Sequence, residues 1–101
     1  MNHEAKRGLS PKTISKLKSI FSKNSEIQKV LIYGSRAKGN FKPGSDIDLA
    51  LVAPQLTLTD LLRIQNEIED LLLEYKVDLS LLHHIENQDL LDHIQRVGVE
   101  F

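Results

Sequence analysis

The sequence predicts one small domain of the α/β or α+β class, and three observations support this prediction. The chain has 101 residues, which is enough for one hydrophobic core. Its hydrophobic content of 41% and its charged content of 27% are typical of a globular rather than a disordered protein. Segments with helical periodicity alternate with segments of strand composition along the chain.

The first helix is predicted to follow a polar tail, residues 1–9, and to open a domain that comprises residues 10–101. Ser10 followed by Pro11 is typical of a helix start, because serine caps the first turn and proline is tolerated in it. Apolar residues then recur at helical spacing as far as Phe21.

Three short apolar segments predict β-strands, because each is rich in branched side chains and bounded by turn residues. They are Ile27–Tyr33, Ile47–Ala53 and Val77–Leu82. Residues 34–44, between the first two strands, contain three of the five glycines and also Pro43. This composition predicts a functional loop with one helical turn after its first residue.

A long helix is predicted over Thr57–Tyr75, with Thr57 and Asp60 as its cap. The stripe expected to face the core consists of Leu58, Leu61, Leu62, Ile68, Leu71 and Leu72. Ile64 and Leu73 lie off this stripe, and we interpret them as candidates for a partner interface.

The chain is predicted to end with a short helix, Asn87–Arg96, and an extended piece, Val97–Val99. The order of elements is therefore helix, strand, loop, strand, helix, strand, helix. This order is that of a single α/β or α+β domain.

The charge of the chain is divided unevenly. The net charge is −1, but residues 1–42 hold 10 basic and 2 acidic side chains, whereas residues 43–101 hold 3 basic and 12 acidic ones. Such an asymmetry indicates charged ligands or partners. Because the whole chain is not basic and its two tyrosines are scattered, nucleic acid is not expected as a partner.

The composition also excludes several classes of protein. The sequence has no cysteine, which excludes disulfides, thiolate metal sites and cysteine nucleophiles. Its first ten residues are polar and lack the apolar centre of a signal peptide. No apolar run approaches the roughly 20 residues of a membrane span. We therefore expect a cytoplasmic protein without a membrane segment.

Three aspartates are the candidate metal ligands. Asp46 and Asp48 project from the same face of the second strand, while Ile47 and Leu49 project into the core. Asp78 lies in the third strand between apolar neighbours. If these strands are adjacent, the three carboxylates converge at one edge of the sheet. Hard divalent cations prefer oxygen ligands, so this set would suit one or two magnesium ions.

A phosphate site is predicted in the loop that follows the first strand. Gly34 lets an anion approach the backbone, and Ser35 can open a helical turn and add a hydrogen bond. Arg36, Lys38 and Lys42 supply positive charge in or near the same loop. Phosphate beside magnesium is the environment of a bound nucleoside triphosphate.

The two motifs are weak alone and much more specific together. The combined pattern resembles the signature of the DNA polymerase β-type nucleotidyltransferase superfamily. It consists of Gly34-Ser35, ten further residues and then Asp46-x-Asp48. Within it, the chain is similar to the minimal nucleotidyltransferase group of prokaryotes, over nearly the whole sequence beyond the tail. Lys38 stands where many members have arginine, which keeps the charge but loses the bidentate fork.

The resemblance implies a mixed, twisted sheet flanked by helices and a two-metal mechanism. Gly34 and Ser35 would hold the β- and γ-phosphates of ATP. Asp46 and Asp48 would bind two magnesium ions. Asp78 would complete the shell of the catalytic metal and help to deprotonate the acceptor hydroxyl.

Another molecule is expected to present the acceptor hydroxyl, because the sequence leaves no residues for a domain that holds a nucleic acid, drug or protein substrate. Members of the minimal group are typically paired with a helical HEPN-type toxin. The resemblance therefore implies an antitoxin that transfers AMP from ATP to a tyrosine hydroxyl of such a toxin.

Two other functions remain open. The chain could be a non-catalytic, nucleotide-binding module that neutralises a partner by contact alone. It could also transfer a nucleotide to a small molecule such as an aminoglycoside, because the same motif serves that chemistry. His83, His84 and His93 are expected to be surface or helix-face residues rather than ligands.

Overall fold

The computed structural model describes residues 7–101, so the first six residues of the predicted tail, residues 1–9, lie outside the described chain. The elements are α1 (Pro11–Ser22), β1 (Lys29–Tyr33), α2 (Ser35–Lys38), β2 (Ile47–Val52), α3 (Leu58–Glu69), β3 (Val77–Leu81), a 3₁₀ turn (Leu82–His84), α4 (Gln88–Val97) and β4 (Val99–Glu100). Within residues 7–101, no helix is both long and apolar enough to cross a membrane.

The four strands form one mixed sheet in the order β3-β2-β1-β4. β1 pairs antiparallel with β2 and with β4, whereas β2 and β3 are parallel. A parallel pair needs a crossover connection, and α3 supplies it. The mixed sheet with flanking helices confirms the predicted fold class.

The sheet separates two apolar layers, because successive side chains of a strand point to opposite faces. One face carries residues such as Leu49 and Leu79, and it packs against α1 and α3. The other face carries Tyr33 and Ala50, and it packs against α4. Asp48 lies two residues before Ala50 in β2, so its side chain projects from the same face of the sheet, which α4 covers.

The start of α1 is as predicted. Residues 7–9 of the predicted polar tail, however, belong to the folded domain. The Ser10 hydroxyl accepts a hydrogen bond of 3.2 Å from the N–H of Thr13. Leu9 is 1% exposed and belongs to the main core. The packed domain therefore begins before Ser10.

The long helix α3 is shorter than predicted. It ends at Glu69, and Leu72 has a φ of 55°, which lies in the left-handed region and cannot continue a helix. The N–H of Leu72 donates to the carbonyl of Glu69, a three-residue turn typical of a helix end. The sequence pattern did not predict this end, because the leucines at 71–73 prolong the apolar pattern.

The face of α3 that meets the core also differs from the prediction. Ile64 and Ile68 are fully buried, while Leu58 and Leu62 are 57% and 55% exposed. Assigning Ile64 to a partner interface was therefore wrong. Leucines occur on more than one side of this helix, so the hydrophobic pattern alone did not fix which side faces the sheet.

The capping box predicted for α3 is present, and it provides a stability test. The Thr57 hydroxyl accepts from the N–H of Asp60 at 3.3 Å, and the Asp60 carboxylate accepts from the N–H of Thr57 at 2.9 Å. We expect Thr57→Ala to lower the free energy of unfolding by about 1 kcal/mol in urea denaturation. Thr59→Ala, an exposed change in the same turn, should leave it unchanged or slightly higher. Equal losses in both variants would contradict a capping role.

Candidate active site

The strand register brings two carboxylates together. Asp48 of β2 is paired directly with Asp78 of β3, so both side chains project from the same face of the sheet. Asp46 lies immediately before β2, and its charge acts on Asp48. Among residues 7–101, none of the three forms an ion pair with a basic side chain. The site is therefore a region of uncompensated negative charge.

The acid strength of Asp48 reflects this environment. Burial raises the pKa of Asp48 above its ordinary value, and the charges of Asp78 and Asp46 raise the pKa further. His93 acts in the opposite direction and lowers the pKa. The ionised form of Asp48 is thus destabilised by its surroundings, and a bound cation would relieve that cost.

The donor chemistry suits magnesium, although the three carboxylates do not form a closed ligand cluster. Within the described residues, no group of three or more acidic or histidine side chains could hold a metal ion as they stand. Asp46 and Asp78 are exposed, so packing does not fix their rotamers. Carboxylate oxygens without a basic partner are nevertheless the ligands that magnesium prefers.

Gly34 joins the predicted phosphate loop to the aspartates. It follows β1 directly and has a φ of 76°, a conformation that favours glycine. A Cβ atom at this position would overlap the Oδ2 atom of Asp48. Only glycine therefore lets the loop lie against this carboxylate. Ser35 comes next and begins α2, the single helical turn expected there.

His93 is a site residue that the sequence analysis missed. Its Nε2 atom accepts a hydrogen bond of 3.1 Å from the N–H of Gly34. The ring also packs edge-on against Tyr33, with 6.1 Å between the centroids. Gly34 and His93 are 59 residues apart, so no short-range pattern could have linked them.

Tyr33 is the buried strand neighbour of Asp48. It is 7% exposed and pairs with Asp48 across β1 and β2. Burial raises the pKa of its phenol, a hydrogen bond with Ser80 lowers the pKa, and the charges of Asp48 and Asp78 raise it. The phenol therefore stays protonated beside the carboxylates at neutral pH.

The three basic residues of the loop have different environments. Lys38 and Lys42 are exposed, so their ammonium groups remain available to a ligand. Arg36 is 1% exposed, and its guanidinium donates hydrogen bonds of 2.9 Å to the carbonyls of Arg7 and Ser45. The structure thus gives Arg36 a place inside the loop and does not bring it to the aspartates as a phosphate ligand.

Asp78 also borders an open depression of about 450 Å³. Its other walls come from the end of α3 and from residues 72–77, including Leu72, Tyr75 and Lys76. Asp78 therefore lies at the border of a solvent-accessible surface formed by these residues.

The chain belongs to the polymerase beta nucleotidyltransferase family. The family model described as "Polymerase beta, Nucleotidyltransferase" matches residues 15–101, which include all three aspartates and the Gly34 loop. This match confirms the family predicted from the sequence. A comparison with curated proteins finds no significant match.

Solved structures of toxin–antitoxin proteins share the fold. A crystal structure of a toxin-antitoxin with AMP-PNP matches with a TM-score of 0.70 and 23% identity, covering 85% of this chain and 69% of that one. Two structures of mutants of the toxin-antitoxin MntA-HpeT match with TM-scores of 0.67 and 0.69 and identities of 19% and 22%. They cover 85% and 87% of this chain, and 69% and 70% of theirs. The similarity supports the predicted minimal nucleotidyltransferase fold.

The raised pKa of Asp48 leads to a stability prediction. Between the ordinary pKa and the raised one, the folded protein binds more protons than the unfolded chain, so the free energy of unfolding falls as the pH rises. Asp48→Asn removes this dependence and should stabilise the metal-free protein by up to about 1 kcal/mol above that window. Urea denaturation from pH 3 to 8 measures both effects.

Asp92→Asn is the matched control for Asp48→Asn. Asp92 is exposed on α4 and accepts a hydrogen bond from Gln88 that an asparagine oxygen can also accept. Its pH profile should follow that of the wild type. Destabilisation by Asp48→Asn at neutral pH would show that the carboxylate has a structural role instead.

His93 can be tested through the hydrogen bond that it accepts. His93→Phe keeps a ring against Tyr33 but removes the acceptor for the N–H of Gly34. We expect faster hydrogen exchange of the Gly34 amide and a loss of about 1 kcal/mol in the free energy of unfolding. His84→Phe, at an exposed position, should change neither quantity. Unaltered exchange in His93→Phe would rule out this bond in solution.

Proposed function

We propose that the chain is a magnesium-dependent nucleotidyltransferase that transfers AMP from ATP to a tyrosine hydroxyl of a HEPN-type toxin, and so acts as an antitoxin. The observation that carries this proposal is the position of Asp48, in register with Asp78 and against Gly34. Membership of the family supports nucleotidyl transfer. The toxin-antitoxin neighbours, one with AMP-PNP, support a toxin partner and a nucleotide substrate.

The proposal assigns a role to each group of the site. Gly34 and Ser35 hold the β- and γ-phosphates, with Lys38 and Lys42 as nearby positive charges. Asp46, Asp48 and Asp78 would hold two magnesium ions. When bound, magnesium supplies positive charge that lowers the pKa of the acceptor hydroxyl and stabilises the leaving pyrophosphate.

The transfer itself exchanges one phosphorus–oxygen bond for another. The acceptor oxygen forms a bond to the α-phosphorus of ATP, and the bond from this phosphorus to the pyrophosphate oxygen breaks. The acceptor proton moves to the Asp78 carboxylate and then to solvent, because Asp78 is exposed. The products are pyrophosphate and a phosphodiester between AMP and the acceptor.

The surface next to Asp78 favours a protein acceptor. The depression of about 450 Å³ at Asp78 is open to solvent and lined partly by Leu72, which is 87% exposed. Leu58 and Leu62 add further exposed apolar surface on α3. Large exposed apolar patches are common at protein interfaces. The proposed location is the cytoplasm, where ATP and magnesium are both present.

The direct test is transfer of label from α-labelled ATP to the HEPN-type protein encoded next to this chain, with magnesium. We expect the wild type to label that protein on tyrosine and Asp48→Asn to lose transfer by about 100-fold or more, since it removes a metal ligand. Asp92→Asn, whose carboxylate lies on the exposed face of α4, should keep wild-type transfer. Chelation of magnesium should abolish labelling by the wild type.

The two alternative functions have their own outcomes in the same assay. A tight complex with the neighbouring protein and no label in it would favour a non-catalytic, partner-neutralising module. Labelling of an aminoglycoside, with none on protein, would favour a small-molecule acceptor. Neither outcome is expected.

Ser35 provides a separate test of the phosphate site. Its side chain accepts or donates no hydrogen bond among the described residues, so its removal should cost little stability. We expect Ser35→Ala to raise the KM for ATP by about tenfold while the free energy of unfolding changes by less than about 0.5 kcal/mol. Ser22→Ala, on α1, is the matched control and should leave the KM unchanged. An unchanged KM in Ser35→Ala would remove this hydroxyl from the phosphate site.

A further inference from the structure

Arg36 is the most deeply buried charged side chain among residues 7–101, with 1% of its surface exposed. Its Nη1 atom donates to the carbonyl of Arg7 at 2.9 Å. Its Nε and Nη2 atoms donate to the carbonyl of Ser45 at 3.2 and 2.9 Å, and Nη2 also approaches the carbonyl of Pro43 at 3.5 Å. One guanidinium thus joins two separate segments of main chain.

Two aromatic rings complete the environment of Arg36. The guanidinium carbon lies 5.0 Å from the ring centroid of Phe41 and 4.9 Å from that of Tyr75. No carboxylate among residues 7–101 forms an ion pair with it. The carbonyl dipoles and the two π-faces therefore offset much of the cost of burying this charge. Lysine could not reproduce the arrangement, because it lacks the planar fork of donors.

Arg36 and Ser45, which its guanidinium contacts, are each adjacent in sequence to a residue of the candidate site. Ser45 is followed directly by Asp46, and a turn in which the Ser45 hydroxyl accepts from the N–H of Lys42 at 2.8 Å holds that end of the loop. Arg36 itself follows Ser35. The guanidinium therefore connects the phosphate side of the site to the start of the strand that carries Asp46 and Asp48.

The segment at residues 7–9 covers the guanidinium from outside. Gly8 has a φ of 77°, and a Cβ atom there would overlap the ring of Phe41 and approach Nη1 of Arg36. Leu9 anchors this segment in the main core. The contacts of Arg36 thus connect the loop to a fixed part of the fold as well as to another part of the loop.

We propose that Arg36 is a positioning residue, which sets the affinity of the site for the triphosphate by holding residues 41–46 at a fixed distance from Ser35. This proposal rests on the proposed function. It differs from the expectation that Arg36 touches phosphate, because all the contacts of its guanidinium in this structure are internal. It also differs from a purely structural role, because the held residues belong to the site.

The first experiment compares Arg36→Lys with Arg63→Lys. Arg63 lies on α3, away from the loop, and forms hydrogen bonds to Asn24 and Glu67. We expect Arg36→Lys to fold, to weaken binding of a non-hydrolysable magnesium–ATP analogue about tenfold, and to raise the KM for ATP more than it lowers kcat. Arg63→Lys should keep the wild-type affinity. A lower melting temperature with unchanged affinity would overturn the proposal in favour of a structural role.

The second experiment separates positioning from direct phosphate contact. Phe41→Leu removes one ring that stacks on Arg36 without changing any charge. If Arg36 acts through the loop, Phe41→Leu also weakens binding of the analogue, and the double variant with Arg36→Lys loses less than the sum of the single losses. If Arg36 contacts phosphate, Phe41→Leu keeps the wild-type affinity and the proposal fails.

Hydrogen exchange without nucleotide distinguishes failure of this inference from failure of the proposed function. Arg36→Lys should speed amide exchange in residues 41–46 and leave β1 and β2 unchanged, whether or not ATP is a substrate. A wild type that does not bind the analogue would refute the proposed function. Equal exchange of residues 41–46 in Arg36→Lys and wild type would refute the positioning role of Arg36.

Discussion

The pairing of Asp48 with Asp78 is the contact on which the rest of the site depends. Two carboxylates in register on adjacent strands repel each other, and burial of Asp48 adds to the cost. The register is fixed by the alternate residues of the same strands, such as Leu49 and Leu79, which are buried on the other face. A shift by one residue would expose these leucines. Core packing therefore maintains an electrostatic contact that is unfavourable in the absence of a cation.

The uneven charge of the chain has a local meaning at this site. The change from basic to acidic sequence falls at residues 42–43, within the loop that runs from Ser35 to Asp46. The last side chains of the basic part lie in the segment that follows β1, and the first of the acidic part lie at the start of β2, which pairs with β1. A loop with exposed lysines that leads in sequence to a group of carboxylates suits a magnesium-bound polyanion better than it suits either ion alone. The remaining charges lie mostly on exposed surface.

Local sequence patterns predicted the parts of this fold that depend on neighbouring residues. The period-two pattern around Asp48 gave the strand and the face of each carboxylate, and Ser10 and Thr57 marked two helix starts. The patterns did not predict which side of α3 is buried, because leucines surround that helix. They also missed His93, since its contact with Gly34 forms only when α4 packs on the sheet. Tertiary contacts, not propensities, decide both features.

The surroundings of Arg36 differ from those that its position beside the phosphate loop predicts. A cation next to a phosphate loop is usually interpreted as a ligand, yet this one is enclosed by carbonyls and two rings. Had its guanidinium faced Asp48, an ion pair would have lowered the pKa of that carboxylate and competed with a metal ion for it. Enclosing the charge instead leaves the carboxylates without a permanent partner. The same side chain can then order the loop while the negative charge of the site remains available for a divalent cation.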